Sequence, residues 1–309
     1  MAHHEEKQVD AVTGMTKTGH SWDGIEELNT PLPKWWLYMF YATIIWSIGY
    51  WVVYPSWPLV QSYTVGAFNW HSRSAVEEEL QGLKTLRGPM TQKLAAASVD
   101  EVIANNEKDP ELYNFAVAMG KAAFADNCAP CHGSGAQGSF SYPNLNDDEW
   151  LWGGTPEEIY TTIKVGVRST SPETHSGVMT AFGRDGLLDP TQIANVTDYI
   201  RAQNDLPVDA KADLDAGKVV FEENCTVCHG DNGMGMKELG TPNLFPRVVD
   251  GKKQPKIWLY SSDREQIIRA VTNGQGNVMP TWEGRLDDTT IKALAVYVVN
   301  FGGAVLPKN

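Results

Sequence analysis

All four cysteines of the chain lie in two Cys-x-x-Cys-His clusters, which are Cys128, Cys131 and His132 followed by Cys225, Cys228 and His229. Two thiols three positions apart can add to the two vinyl groups of one haem, which places the adjacent histidine under the iron as an axial ligand. A zinc site would need a fourth ligand, and a redox-active dithiol would not need the histidine. The two clusters therefore predict two covalently bound haem c groups.

The sequence around the two clusters is an internal repeat. Residues 120–133 match residues 217–230 without a gap, and the Pro-Asn-Leu segment at 143–145 occurs again at 242–244. The repeat period of about 97 residues is far longer than the 20–50 residues of stacked repeats, so a domain has been duplicated. Because an iron-bound histidine needs an acceptor for its second ring N–H, we expect the backbone carbonyls at 143 and 242 (Pro143 and Pro242) to accept these hydrogen bonds.

Two methionines in matching positions are candidates for the sixth iron ligand. Met179 lies 47 residues after His132, and Met279 lies 50 residues after His229. The simplest geometry has each methionine bind the haem of its own repeat, although the similar spacings leave an exchange between the repeats open. His175 competes for the first iron. With histidine and methionine filling both axial positions, the iron is expected to pass single electrons and not to bind a substrate.

Each copy is predicted to be mainly α-helical. Asp109-Pro110 combines a capping side chain with proline in the first turn, and residues 159–165 and 192–202 have apolar residues at helical spacing. No alternating strand pattern of useful length is found. The expected segments are a connector at 59–108, a first haem domain at 109–205, a linker at 206–213 and a second haem domain at 214–309.

A membrane anchor is predicted ahead of these domains. Residues 35–54 contain no Lys, Arg, Asp or Glu and would span roughly 30 Å as a helix, the thickness of the hydrocarbon core. Trp35 and Trp36 at one end, and Tyr54 at the other, are typical of the aromatic residues found at membrane interfaces. We therefore expect residues 34–58 to form a single retained transmembrane helix in contact with lipid.

The orientation follows from the charges that flank this helix. Lys17 and Lys34 precede it, whereas Arg73 is the nearest basic residue after it, and this favours a cytoplasmic segment at 1–33 and periplasmic haem domains. Bacteria attach haem c outside the cytoplasmic membrane, which predicts the same topology in the inner membrane. The net charge of −13 argues against nucleic acid as a partner and suits a basic protein partner.

Each repeat resembles a class I cytochrome c domain. In that family, a Gly-x-x-x-Phe helix before the haem cluster packs against an aromatic residue on the C-terminal helix. The resemblance implies one such pairing within each repeat, namely Gly120 and Phe124 with Tyr199, and Gly217 and Phe221 with Tyr297. The fold class expected is thus one N-terminal transmembrane helix followed by two tandem class I cytochrome c domains.

The whole chain resembles the dihaem subunit, CcoP or FixP, of the cbb3-type cytochrome c oxidases. The segment from Gly19 to Pro33, directly ahead of a Trp-rich helix, carries this resemblance together with the two haem repeats. It implies an inner-membrane complex that reduces dioxygen and translocates protons. In that complex the chain would accept electrons from a soluble or anchored donor cytochrome c and relay them to the haem–copper catalytic subunit, beside a monohaem cytochrome c subunit.

Two other functions are compatible with the same motifs. A free-standing, anchored dihaem electron shuttle would need the same domains without an oxidase, but an anchor alone does not explain the segment before the helix. A dihaem peroxidase would need one open or histidine-ligated haem, and His175 is the residue that would support it. The chain has no oxygen-reducing site of its own, so as an enzyme it would act only as the electron-transfer subunit of the oxidase.

Overall fold

A computed structural model describes residues 8–249, 251–254 and 256–306 of the chain. The chain divides into two compact units at Leu86 and Arg87. The first unit contains a β-hairpin and a long apolar helix, and the second contains both Cys-x-x-Cys-His repeats.

The hairpin of the first unit lies within the segment that precedes the apolar helix. Strands β1 (Lys17–Trp22) and β2 (Ile25–Leu28) pair antiparallel around Asp23 and Gly24, whose φ values of 52° and 84° suit a two-residue turn. The side chains of Trp22 and Ile25 beside the turn are 57% and 71% exposed. The hairpin therefore presents large apolar side chains on its surface.

Helix α1 (Lys34–Val53) is the one helix in the described part of the chain that is long and apolar enough to cross a membrane. It follows Pro33 and ends at Val53, two residues before Pro55, and none of its residues is buried. A helix that is apolar on every face and unburied is suited to a lipid environment. After it, the helix α2 (Ser72–Ala96) runs across the boundary between the two units.

The second unit is helical. Its helices are α3 (Val99–Ala104), α4 (Pro110–Asn127), α5 (Ala129–His132), α6 (Pro156–Val165), α7 (Pro190–Gln203), α8 (Leu214–Asn224), α9 (Thr226–His229), α10 (Arg264–Asn273) and α11 (Asp288–Val299), with a short hairpin of β3 (Arg247–Val249) and β4 (Lys252–Gln254). Asp109 caps α4 by accepting from the N–H of Leu112, with proline in the first turn as predicted. The predicted mainly α class is confirmed.

The helices form two hydrophobic cores, and each core combines both repeats. The first core packs α4 and α6 from the first repeat, with α3 from the preceding connector, against α11 from the second repeat. The second core packs α8 and α10 from the second repeat against α7 from the first. The two repeats have thus exchanged their C-terminal helices.

This exchange corrects the helix pairing expected within each repeat. An added Cβ at Gly120 would lie 2.1 Å from the carbonyl oxygen of Ala293 on α11, and one at Gly217 would lie 2.2 Å from that of Asn195 on α7. Phe124 accordingly packs edge-on against Tyr297 and not against Tyr199. A short connection separates α7 from α8, and consecutive helices joined in this way usually pack together, which leaves the place beside α4 for α11.

The end of the predicted connector also belongs to the first core. The side chains of Leu94, Val99 and Val102 are 0–3% exposed and pack in that core. The amine of Lys292 on α11 donates to the carbonyls of Ala95 and Ala97 at 2.8 and 2.9 Å. The connector predicted at 59–108 therefore ends in apolar residues that are buried in the first core.

Candidate haem sites

The two Cys-x-x-Cys-His clusters adopt the same backbone turn. Cys128 follows α4, and its carbonyl accepts from the N–H groups of Cys131 and His132 at 3.1 and 2.9 Å. Cys225 accepts in the same way from the second cluster, at 3.2 and 2.9 Å. Each turn holds two thiols and one imidazole on a single helical turn, so one flat ligand can contact all three.

A tight loop after each cluster turns the chain back towards the histidine. The N–H of Gly138 donates to the carbonyl of His132 at 2.7 Å, and that of Gly235 donates to the carbonyl of His229 at 2.8 Å. Both glycines have a positive φ, and a Cβ at Gly138 would lie 2.6 Å from the backbone nitrogen of Asn144. Only glycine fits these positions, because other residues are strained there and lack space.

The loops bring a proline carbonyl to each histidine. Nδ1 of His132 lies 2.9 Å from the carbonyl oxygen of Pro143, and Nδ1 of His229 lies 2.9 Å from that of Pro242. The two predicted acceptors are therefore confirmed. Since a carbonyl can only accept, the ring proton lies on Nδ1, which leaves Nε2 free to bind a metal.

Burial favours the neutral form of both imidazoles. It lowers the pKa of His132 and of His229 below the ordinary value, more than the proline carbonyls raise it. Neutral imidazole is the form that coordinates iron. The lowered pKa of both histidines thus favours the form that an iron ligand requires.

The first cysteine of each cluster is poorly suited to act as a free thiolate. Burial, with a smaller effect of the neighbouring Cys131, raises the pKa of Cys128 to about 11. Burial and Cys228 raise the pKa of Cys225 to about 11 in the same way. A redox-active dithiol needs a lowered pKa, so the protonated thiols argue against that chemistry.

A cavity of about 550 Å³ lies beside the second cluster. Cys225, Cys228 and His229 form part of its wall, and Met179 of the first repeat forms another part. Its volume falls in the range of about 300–1,000 Å³ that is usual for cofactor pockets. The cavity thus faces two thiols, an imidazole and a thioether.

Met279 occupies the equivalent place in the first core. It packs in the cluster that contains Cys128, Phe124 and Trp282, whereas Met179 packs in the cluster that contains Cys225. Of the two arrangements that the sequence left open, the structure has the exchanged one, in which each methionine packs in the core that holds the cysteines of the other repeat. The methionines precede the exchanged helices α7 and α11, and so they move with them.

Two glycines with the same role hold the exchanged methionine loops. Gly166 ends α6 and Gly274 ends α10, each with a φ of 73°. A Cβ at Gly166 would lie 2.6 Å from the carbonyl oxygen of Met279, and one at Gly274 would lie 2.4 Å from that of Met179. The contact of Gly166 with the Met279 loop is thus equivalent to that of Gly274 with the Met179 loop, and an approximate two-fold symmetry of the repeats relates the two.

His175, the competing ligand for the first iron, has other partners. Its ring stacks on Trp152 with centroids 4.3 Å apart, and its Nε2 lies 3.2 Å from the hydroxyl of Thr162. Its backbone bridges to Val167 within the longer loop of the first repeat. This geometry favours a structural role for His175.

The residues present fit a covalently bound haem. Each core offers two thiols on one turn, an imidazole with Nε2 free and a methionine from the opposite repeat. Among the residues that the structure describes, no three Cys, His, Asp or Glu side chains come together as a metal-binding group. The arrangement can hold a flat, hydrophobic group between a histidine and a methionine.

Two cations at the cavity wall were missed by the sequence analysis. Arg168 and Lys256 both line the cavity. Burial lowers the pKa of Lys256 to about 8, and its amine donates to Oδ1 of Asn243 at 3.1 Å. The signal for Arg168 in the sequence is a difference between the repeats, since the first copy has an arginine where the second copy has Gly276.

Three family models match successive parts of the chain. The N-terminal domain of cytochrome oxidase-cbb3, FixP, matches residues 14–61. Cytochrome c matches residues 117–204, and cytochrome c oxidase, cbb3-type, subunit III matches residues 212–298. The first model thus covers the hairpin and the apolar helix, and the other two cover one repeat each.

Curated relatives match the chain over nearly its full length. The cbb3-type cytochrome c oxidase subunit FixP of Bradyrhizobium sp. (strain ORS 278) is 52% identical over 303 residues, which cover 98% of this chain and 99% of the relative. FixP of Azorhizobium caulinodans is 51% identical over 300 residues, or 96% of both chains. Subunit CcoP of Azospirillum brasilense is 45% identical over 301 residues, which cover 96% of this chain and 99% of the relative.

Proposed function

The chain belongs to the FixP/CcoP family of cbb3-type cytochrome c oxidase subunits, and from this premise we propose that it relays electrons through two covalently bound haem c groups to the catalytic subunit of such an oxidase. The observation that carries the proposal is the pair of equivalent sites, each with a Cys-x-x-Cys-His turn, a histidine oriented by a proline carbonyl and a methionine.

Eight side chains would hold the two haems. The thiols would form the covalent links, and the histidines and methionines would bind the irons. The residues would be Cys128, Cys131, His132 and Met279 at the first site, and Cys225, Cys228, His229 and Met179 at the second. Haem c supplies a reversible one-electron carrier whose potential is raised by methionine relative to a second histidine. The protein would surround it with apolar side chains and keep the Nδ1–H of each histidine donating to a proline carbonyl.

The exchanged order of the methionines can be tested by ligand substitution in chains with a single haem. In a variant with Ser at positions 225 and 228, Met279→His should lower the potential of the remaining haem, because imidazole stabilises ferric iron better than a thioether does. Met179→His should leave that potential unchanged in the same variant. The opposite result would mean that each methionine serves its own repeat, and the complementary variant with Ser at 128 and 131 repeats the test for the second haem.

The location and the partners follow from the family and the charges. We infer that α1 anchors the chain in the bacterial inner membrane with its N-terminus in the cytoplasm and the haems in the periplasm. Electrons would enter from a donor cytochrome c, steered by the acidic surface of the chain, and leave for the haem–copper subunit, beside the monohaem cytochrome c subunit. Proton translocation would belong to the complex and not to this chain.

Purification of the tagged chain from detergent-solubilised membranes tests this assignment. Haem b and copper should purify with the chain in a fixed ratio, and the preparation should oxidise reduced cytochrome c with dioxygen. A chain that carries both haems c but purifies without haem b and copper would be a free-standing shuttle, the second function considered from the sequence.

A further inference from the structure

Arg168 contacts both methionine loops. It follows α6 by three residues and has a φ of 52°, in the left-handed region that non-glycine residues seldom occupy. Its Nη1 donates to the carbonyl of Gly177, and its Nε donates to the carbonyl of Asn277. Gly177 and Asn277 stand two residues before Met179 and Met279, respectively.

The two acceptors are equivalent positions of the two repeats, but the arginine is not repeated. The residue that matches Arg168, two positions after the glycine that ends the helix, is Gly276 in the second copy. A Cβ at Gly276 would lie 3.7 Å from Cδ of Arg168 and 3.3 Å from Cγ1 of Val178. Because Gly276 has no side chain, Arg168 of the first copy lies in the space beside it, and its guanidinium donates to both methionine loops.

The charge of Arg168 has no carboxylate partner among the described residues, in which every ion pair involves other basic groups. The side chain is half-buried and lines the cavity of the second site. An unpaired guanidinium in such a place is costly unless its donors are used, and here two of its five N–H groups bind the two loops.

We propose that Arg168 is a shared positioning residue that holds both methionine ligands against their irons. The proposal rests on the two-haem function given above and goes beyond it, because it makes the two axial bonds depend on one side chain. Removing the guanidinium releases the loops that carry Met179 and Met279 together. Both thioethers then become easier to displace, although the hydrogen bonds of Arg168 go to backbone carbonyls and not to either sulfur.

Displacement of the methionines by added imidazole measures this effect in the full-length protein in detergent. Loss of hydrogen bonds that support metal ligands commonly costs about 10–100-fold in affinity. In Arg168→Met we therefore expect imidazole to replace the thioether at about tenfold lower concentration, with a spectral change that corresponds to both haems. Both potentials should shift together in a redox titration.

Matched variants separate positioning from a general loss of stability. Arg184→Met is the control, because Arg184 follows Met179 closely and, among the described residues, its exposed side chain forms an ion pair only with the neighbouring Asp185. The imidazole affinity of this variant should equal that of the wild type. Arg168→Lys keeps the charge but cannot donate to two carbonyls in a fixed fork, so it should show a smaller change in the same direction. If Arg168→Met does not fold into a stable protein, the imidazole affinity of Arg168→Lys tests the positioning role of Arg168.

The outcomes are distinct from those that test the proposed function. Two haems per chain with wild-type imidazole affinity in both Arg168 variants, or a change at one haem alone, would overturn the shared role of Arg168. A wild-type chain that does not carry two haems would instead overturn the proposed function.

Discussion

The ion pair between Asp198 and Arg264 offers a test of the helix exchange, because it joins α7 of the first repeat to α10 of the second. The carboxylate of Asp198 is fully buried and accepts from Nε and Nη2 of Arg264 at 3.0 and 2.7 Å. Its remaining donor is the backbone N–H of Asp209 at 3.2 Å. If each C-terminal helix packed within its own repeat, Asp198 would have no reason to contact Arg264.

Arg264→Met leaves a buried carboxylate with a single hydrogen-bond donor. Breaking a buried ion pair in this way costs about 3–5 kcal/mol, and we expect about 3 kcal/mol because the guanidinium side is one third exposed. At about 2–4 °C per kcal/mol for a unit of this size, Tm should fall by about 6–12 °C. Thermal and urea unfolding of the haem-loaded protein, followed by haem absorbance, measures both quantities.

The contribution of the Asp198–Arg264 pair to the free energy of unfolding depends on pH with a definite sign. Burial raises the pKa of Asp198, but the hydrogen bonds from Arg264 and from the Asp209 N–H together lower it below its ordinary value. A lowered folded-state pKa contributes stability that is present above the unfolded value of about 3.9 and is lost as the pH falls through the folded value. The difference in unfolding free energy between wild type and Arg264→Met should therefore be full at pH 7 and shrink below about pH 4.

A double-mutant cycle with Asp198→Asn isolates the contact itself. The double variant should be less destabilised than the sum of the single variants, with a coupling of about 1–3 kcal/mol. Lys218→Met is the control, since Lys218 forms an exposed pair with Glu222 on one helix and should cost no more than about 0.5 kcal/mol. A coupling of zero, or an effect of Arg264→Met no larger than the control, would refute the exchanged packing.

Three further predictions follow from the anchor, the hairpin and the helix contacts. A reporter that is active only in the periplasm should work when fused at the C-terminus and fail when fused before Met15, and the reverse would refute the orientation. Trp22→Ala should remove the chain from the purified oxidase while both haems stay spectrally normal, because Trp22 is exposed on the hairpin, and complete assembly would refute a docking role for it. Gly120→Ala should lower the unfolding free energy of the first core by about 1–3 kcal/mol, because the added Cβ would meet the carbonyl of Ala293. Gly82→Ala is the control and should not lower the unfolding free energy, because a Cβ at Gly82 has open space around it. Equal effects of the two variants in urea unfolding would refute the close contact of Gly120.

The local parts of both sites could be predicted from the sequence. The haem clusters, the capped start of α4 and the proline carbonyls that accept from His132 and His229 depend on residues close together in the chain. For these features, residue type and spacing determine the geometry. The structure agrees with the sequence in each of them.

The exchange of helices could not be predicted in the same way. The sequence around Gly120 does not distinguish the helix of Tyr199 from that of Tyr297 as its partner, because the two repeats have the same local pattern. The choice depends on the short connection between α7 and α8 and on contacts far apart in sequence, such as that of Arg168 with Asn277. The burial of Val99 and Val102 is likewise a tertiary property that the charges nearby concealed.

The haem content of the purified chain tests the central claim most directly. The pyridine haemochrome assay should give two haems c per chain, and both should stay on the polypeptide in a denaturing gel stained for haem. A variant with Ser at 225 and 228 should keep one of them. One haem or none in the wild-type chain, after maturation in a host able to attach haem c, would contradict the account.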